Sequence, residues 1–258
     1  MKLETILYEV KDGVSIITFN RPDKMNAFNH QMIMDIKSAT EEAAKDDSIR
    51  CVVLTGSGRG FSAGADLSER ESKWKDTEEA LIKGYLPSLL NIIQMEKPVI
   101  AAVNGAAAGI GSAYAMACDL TLMSEEAYLL QAFSNIGLIP DGGANWLLVN
   151  TIGYKLAYQI AIEGERIGAE RCLSLGLINK VVKNSELLQE SMNWARKLYE
   201  RAPQSLKYTK KVMRRSLNSS YEEIYALEAK TQNELFGSED NQEGIKAFLE
   251  KRSPNFKG

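Results

Sequence analysis

The stretch KPVIAAVNGAAAGIGSAYAMACDL, residues 97–120, decides how this chain is read. Pro98 to Val103 is an apolar run with β-branched residues and suits a buried strand. Asn104-Gly105 breaks it. A turn of glycines and alanines follows, and from Gly109 the residues favour a helix. Strand, small-residue turn and helix start together aim free backbone N–H groups at an anionic group, and the small side chains let a ligand reach the main chain. Close packing of the helix explains the same composition, so this stretch alone leaves cradle and packing side by side. It does not suit a membrane span, because Asn104, three glycines and Asp119 interrupt it and its flanks carry no charge bias.

Working outward, the 258 residues suffice for one large or two small domains. Apolar content of 45% and charged content of 25% are those of an ordinary soluble globular chain. A net charge of −3 provides no basic footprint for nucleic acid. The opening MKLETILYEV carries Glu4 and Glu9 in its apolar part, unlike a secretion signal. Cys51, Cys118 and Cys172 are isolated, which points to neither a disulfide framework nor a metal site and makes the cytoplasm the expected compartment. His30 is the single histidine, so any Ser/His/Asp triad or His-bearing zinc site would have to use it. Its place beside Asn29, at a helix start, reads as surface.

Strands are expected at 4–10 and 14–19, joined by a turn at Lys11-Asp12-Gly13, then a helix capped by Asn29 and running to about Lys45. Cys51–Leu54 reads as a buried strand ending in a glycine-rich bend. Residues 68–80 are polar and charged and read as a mobile flap or solvated helix. A helix over 78–95 contains Gly84 and Pro87, which predict a bend or split. Further strands follow at 120–123, 127–131 and 177–182. From Ser185 the apolar spacing predicts helices at 185–201, 203–217, 220–236 and 239–251. The expectation is an α/β core over 1–184 followed by a helical carboxyl-terminal subdomain over 185–258.

GRGFSAGADL (58–67) and the 97–120 stretch each end a strand in a small-residue turn. At this pair the sequence resembles the crotonase family, the enoyl-CoA hydratases and isomerases. RPDKMNAF (21–28), GLIPDGG (137–143) and AFLEKRSPNF (247–256) fall where that family has its other motifs, so the resemblance spans nearly the whole chain. It implies a spiral of ββα turns, with trimers or dimers of trimers built partly by the carboxyl-terminal helices. It also implies an acyl-coenzyme A thioester as the ligand, with coenzyme A arriving on the substrate rather than as a resident cofactor. By motif position, the main-chain N–H groups of Ala65 and Ile110 would hold the thioester oxygen. Lys24, Met25 and Ala27 match the loop along adenine and pantetheine. Arg59, Ser62, Ala63, Asp66 and Leu67 match adenine-side residues. Phe248 and Lys251 match residues that reach coenzyme A from a neighbouring subunit. Taken alone, Arg59 and Lys251 read equally well as surface charge.

The acid–base positions decide the reaction. Hydration in this family uses two glutamates, one four residues after Gly109 and one two after Gln131; here those positions are Ala113 and Phe133. Asp141, in IPDGG, matches the catalytic aspartate of related isomerases. A single base above an enolate can move a proton from one carbon to another. Its apolar neighbours Ile136, Leu138, Ile139 and Trp146 are expected to raise its pKa, whereas a bare structural reading has Asp141 capping the helix that follows. Ser112 and Asn145 are further polar candidates, and Trp74, Tyr85 and Leu86 are candidate acyl-pocket residues. The expected activity is a double-bond shift in an enoyl-CoA. Hydration, or thioester binding without chemistry, are the alternatives.

Overall fold

The apolar runs Val14–Phe19, Cys51–Gly56 and Val99–Val103 become neighbouring strands in a computed structural model that describes residues 3–68 and 73–258. Part of the expected flap, residues 69–72, lies outside the described residues. The chain opens with β1 (Ile6–Lys11) and β2 (Val14–Phe19), an antiparallel hairpin. Its two-residue turn, Asp12-Gly13, has positive φ at both positions, which matches the right-handed twist of the strands. Next is α1 (His30–Lys45), whose cap Asn29 accepts the Met32 N–H.

From there a unit repeats: a buried strand, a short strand, then a helix. It runs β3 (Cys51–Gly56), β4 (Gly60–Ser62), α2 (Thr77–Glu79) and α3 (Leu86–Gln94). The second turn is β5 (Val99–Val103), β6 (Ala106–Ala108) and α4 (Ile110–Ala117). The third is β7 (Leu120–Ser124), β8 (Tyr128–Leu130), α5 (Ala144–Ile152) and α6 (Tyr154–Glu163). It closes with β9 (Arg166–Gly168), α7 (Ala169–Ser174) and β10 (Lys180–Val182), followed by α8 (Leu187–Tyr199), α9 (Pro203–Ser216), α10 (Tyr221–Leu235) and α11 (Glu239–Glu250). The long strands form one sheet in the order β1-β2-β3-β5-β7-β10, parallel from β2 onward; the short ones form a second, β4-β6-β8-β9. Each turn of the chain thus adds one strand to each sheet, as a ββα spiral requires.

The central strands of the first sheet, β3, β5 and β7, are buried on both faces, which is why they read as continuous apolar runs, whereas β1 at the edge is largely exposed. Val14, Cys51, Val53, Ile100, Ala102 and Leu122 pack under Leu187, Met192 and Ala195 of α8. Val52, Leu54, Ala101 and Val103 face the larger core with α1, α3 and α4. The expected boundary at 184/185 therefore falls beside a helix that covers the first sheet, and α9 is the first helix beyond that layer. Asp119 moors α9: it accepts Lys210 Nζ at 2.7 Å, Arg214 at 3.2 Å and the Val99 N–H at 2.9 Å.

Three local expectations change. Gly60–Ser62 and Ala106–Ala108, read as turn, pair as strands of the second sheet. Apart from Phe61, these residues are glycine, alanine and serine, which carry little strand preference, so it is mainly tertiary pairing that holds them extended. Of the bend or split expected in the helix over 78–95, the split does not occur: the helix runs from Thr77 to Gln94, with its distortion taken up in a π-helical stretch, Ala80–Tyr85. That register absorbs the donor missing at Pro87. Among the described residues no helix is long and apolar enough to cross a membrane.

Candidate active site

The pairing of β4 with β6 carries the ends of both strands to one place. A Cβ built on Gly64 would stand 2.9 Å from the Ala108 carbonyl oxygen and 3.6 Å from the Gly109 Cα; one built on Gly109 would stand 3.9 Å from the Gly64 Cα. Both glycines have positive φ, +92° and +52°. Only a residue without a side chain permits this approach. Ala65 and Ile110, each one residue further on, flank that contact.

Each amide is left free by its local structure. The Gly64 carbonyl accepts the Phe28 N–H at 2.7 Å and the Asp66 N–H donates to the Phe28 carbonyl at 3.0 Å. In extended backbone, alternate residues turn opposite ways, so the Ala65 N–H points away from that bridge. Ile110 is the first residue of α4, where no intrahelical acceptor exists. No acceptor among the described residues takes either amide. The helix dipole adds positive potential at Ile110. The Ile110 side chain is buried and packs beneath Gly142 of the Asp141-Gly142 turn.

That turn brings in Asp141. A Cβ on Gly142 would lie 2.9 Å from both the Ala113 Cβ and the Ile110 Cγ1, so the turn rests directly on the start of α4. Asp141 does not cap α5: its main-chain carbonyl accepts the Ala144 N–H, Gly143 is the cap residue, and Asp141 Oδ1 is buried without a partner among the described residues. Burial pushes its carboxyl up to about 6, against a smaller pull from its own main chain. Of its expected apolar neighbours Ile136, Leu138 and Ile139 are each more than half exposed and Trp146 is 38% exposed, while Ile110 and Ala113 seat the turn from beneath Gly142. Asn145 donates to the Pro140 carbonyl at 2.7 Å and holds the turn rather than facing a ligand. Phe133, buried, stands over Gly109, its ring 3.7 Å from that residue's would-be Cβ.

The expected coenzyme A residues divide. Lys24, Arg59, Ala63 and Leu67 are exposed beside the Ala65 turn, and Met25, with φ +51°, receives the Arg59 Nε at 2.9 Å on its sulfur. Ala27 is buried. Ser62 is fully buried, donating to the Asn26 carbonyl and accepting the Gly64 N–H, so its hydroxyl fixes the turn from beneath. The Asp66 carboxylate accepts the Ser68 hydroxyl and is paired with Arg21 at 2.9 Å, and these, the Ser68 bond first, lower its pKa. Phe248 and Lys251 are on or just after α11, and Phe248 lines a cavity of about 670 Å³ with Leu235, Phe236 and Phe256 that includes neither Ala65, Ile110 nor Asp141. Within one chain they are not gathered with the other candidates.

Of the pocket candidates, Trp74 packs on Gly84 and lies 5.0 Å, ring to ring, from His30; Tyr85 is buried near Phe28 and Leu86 is partly exposed. The three thiols are buried and in no disulfide, each donates to a backbone carbonyl, and burial raises the pKa of each, so none is a ready nucleophile. Asn26 escaped the sequence reading. Fully buried and with φ +54°, it accepts the Arg21 N–H and donates to the Ser57 and Gly60 carbonyls, tying the 21–28 loop to β4.

The chain matches the family profile described as enoyl-CoA hydratase/isomerase over residues 9–258. A probable enoyl-CoA hydratase of Rhodobacter capsulatus is 38% identical over 258 residues, covering 100% of both chains. The 1,2-epoxyphenylacetyl-CoA isomerase of Escherichia coli K12 is 36% identical over 260 residues, covering 99% of both. The crystal structure of an enoyl-CoA hydratase subunit from Geobacillus kaustophilus superimposes with a TM-score of 0.92 at 34% identity over 100% of both chains.

Proposed function

Because this chain belongs to the enoyl-CoA hydratase/isomerase family and has its α/β crotonase fold, we propose that it shifts the double bond of an enoyl-CoA, with Asp141 as the proton-transferring base. The carrying observation is the half-buried carboxyl of Asp141 on the Ile110 end of α4, with Ala113 and Phe133, which bear no acid, at the two positions where hydration would need glutamates.

The thioester oxygen lies between the N–H groups of Ala65 and Ile110. The Asp141 carboxylate takes a proton from the α-carbon of a 3-enoyl-CoA. The released electron pair moves through the conjugated system onto the thioester oxygen, where the two amides stabilise it; losing one such donor costs about 3 kcal/mol. The carboxylic acid then returns that proton to the γ-carbon, leaving the double bond between the α- and β-carbons. A base whose pKa sits near neutrality both accepts and gives back the proton readily. Phe133 over Gly109 keeps water from the dienolate. Arg59, Lys24 and the Met25 loop hold the coenzyme A portion, completed by Phe248 and Lys251 of a neighbouring subunit in a cytoplasmic homotrimer or hexamer.

Hydration is the second reading, favoured by the hydratase name of the Rhodobacter relative. The test is to supply a 3-enoyl-CoA and a 2-enoyl-CoA separately. Growth of the conjugated-thioester absorbance from the first supports isomerisation. Its loss from the second, with a hydroxyacyl product and no isomerisation, supports hydration. Binding without turnover of either leaves a non-catalytic acyl-CoA binder.

A further inference from the structure

The Gly109 carbonyl and the Ile110 N–H belong to one planar peptide unit, so whatever grips the carbonyl also aims and polarises the amide. That carbonyl is gripped twice from α4: the Ser112 N–H donates to it at 3.0 Å and the Ser112 hydroxyl at 2.6 Å. The hydroxyl in turn accepts the Gln131 Nε2 at 2.7 Å, from the residue that follows β8. Leu130, one residue before, accepts the Gly109 N–H at 2.9 Å, so the end of β8 secures Gly109 on both sides. Ser112 and Gln131 are 0% and 1% exposed. A helix serine often bonds back to its own preceding turn. Here a second buried side chain, 19 positions away, holds that hydroxyl so that its proton points at the carbonyl. Gln131 Oε1 is buried and has no donor among the described residues, a cost that a merely space-filling side chain would not carry.

We propose that Gln131 and Ser112 are positioning residues that act through the Gly109–Ile110 peptide, strengthening the Ile110 N–H as a donor to the thioester oxygen. The inference rests on the reading of Ile110 as an oxyanion donor. The chain runs Gln131 N–H to Ser112 hydroxyl to Gly109 carbonyl, and each bond pulls electron density away from the Ile110 N–H.

The test uses full-length protein with a 2-enoyl-CoA carrying ¹³C at the thioester carbonyl, read by isotope-edited infrared difference spectroscopy alongside turnover of the 3-enoyl-CoA. In the wild type the bound carbonyl stretch falls below its value in water. Ser112→Ala reverses part of that fall and lowers kcat about tenfold, roughly one neutral hydrogen bond, with KM unmoved. Gln131→Met, similar in length, moves both readouts the same way by less. The double variant matches Ser112→Ala, because Gln131 acts only through Ser112. If Ser112→Ala proves poorly folded, Gln131→Met carries the test, since it leaves the hydroxyl in place. Wild-type frequency and kcat in the folded variants, or effects that add in the double variant, overturn the relay while the oxyanion reading stands. A wild-type complex with no carbonyl shift overturns both.

Discussion

Replacing Asp141 by Asn should at once stabilise the fold and sharply lower the proposed activity. Moving a carboxyl from its ordinary 3.8 to about 6 corresponds to about 3 kcal/mol of disfavoured charge. Asp141 is only half-buried, so water screens it and about 1–2 kcal/mol is the expected remainder. The sign follows from the raised value. The stability contributed by the neutral carboxyl is full below 3.8 and is lost as the pH rises through about 6. Asparagine is neutral throughout, so the advantage of Asp141→Asn should be near zero at low pH, grow between about pH 4 and 6, and stay level above that. Urea unfolding of both proteins across this range measures it. Turnover of a 3-enoyl-CoA should fall by about 10² to 10⁴ in the same variant. An Asp141→Asn protein with wild-type turnover, or a stability difference that ignores pH, would refute this reasoning.

Other outcomes follow from the same geometry. The kcat/KM for isomerisation should rise with pH through about 6 and then level off, because the base must be ionised. A pH–rate profile flat across that range contradicts the assignment. Gly64→Ala places a methyl 2.9 Å from the Ala108 carbonyl at φ +92°; it should destabilise by about 1–3 kcal/mol and cut kcat at least about tenfold as the two turns separate. Unfolding curves and steady-state rates check both. Asp119→Ala strips the acceptor from Lys210, Arg214 and the Val99 N–H. It should cost about 3 kcal/mol and raise hydrogen exchange in α9, and a loss within error of zero would show that α9 is held by other contacts.

Much of the architecture was readable because its signals are periodic or local. Helices α9, α10 and α11 announce themselves by apolar spacing and by Pro203, Ser220 and Ser238 at their starts. The buried strands stand out as runs such as VIAAV and CVVLTG. The second sheet was not readable, since Gly60–Ser62 and Ala106–Ala108 are strands only by virtue of their partners. The site divides the same way. Ala65, Ile110 and Asp141 follow from motif position, and the fold brings their turns into contact. Pattern alone did not reveal that Ser62 and the Asp66 carboxylate turn inward to hold the loop. Nor did it show that Gln131 reaches back 19 positions to Ser112. Both depend on contacts distant in sequence and on side-chain direction, which spacing does not encode.

The most direct measurement is a crystal structure of the protein with an unreactive acyl-CoA analogue bound. The account predicts both amides, Ala65 and Ile110, within hydrogen-bond distance of the thioester oxygen and an Asp141 carboxylate oxygen over the α-carbon. A thioester oxygen bound elsewhere, or Asp141 turned toward solvent with the analogue in place, would contradict it.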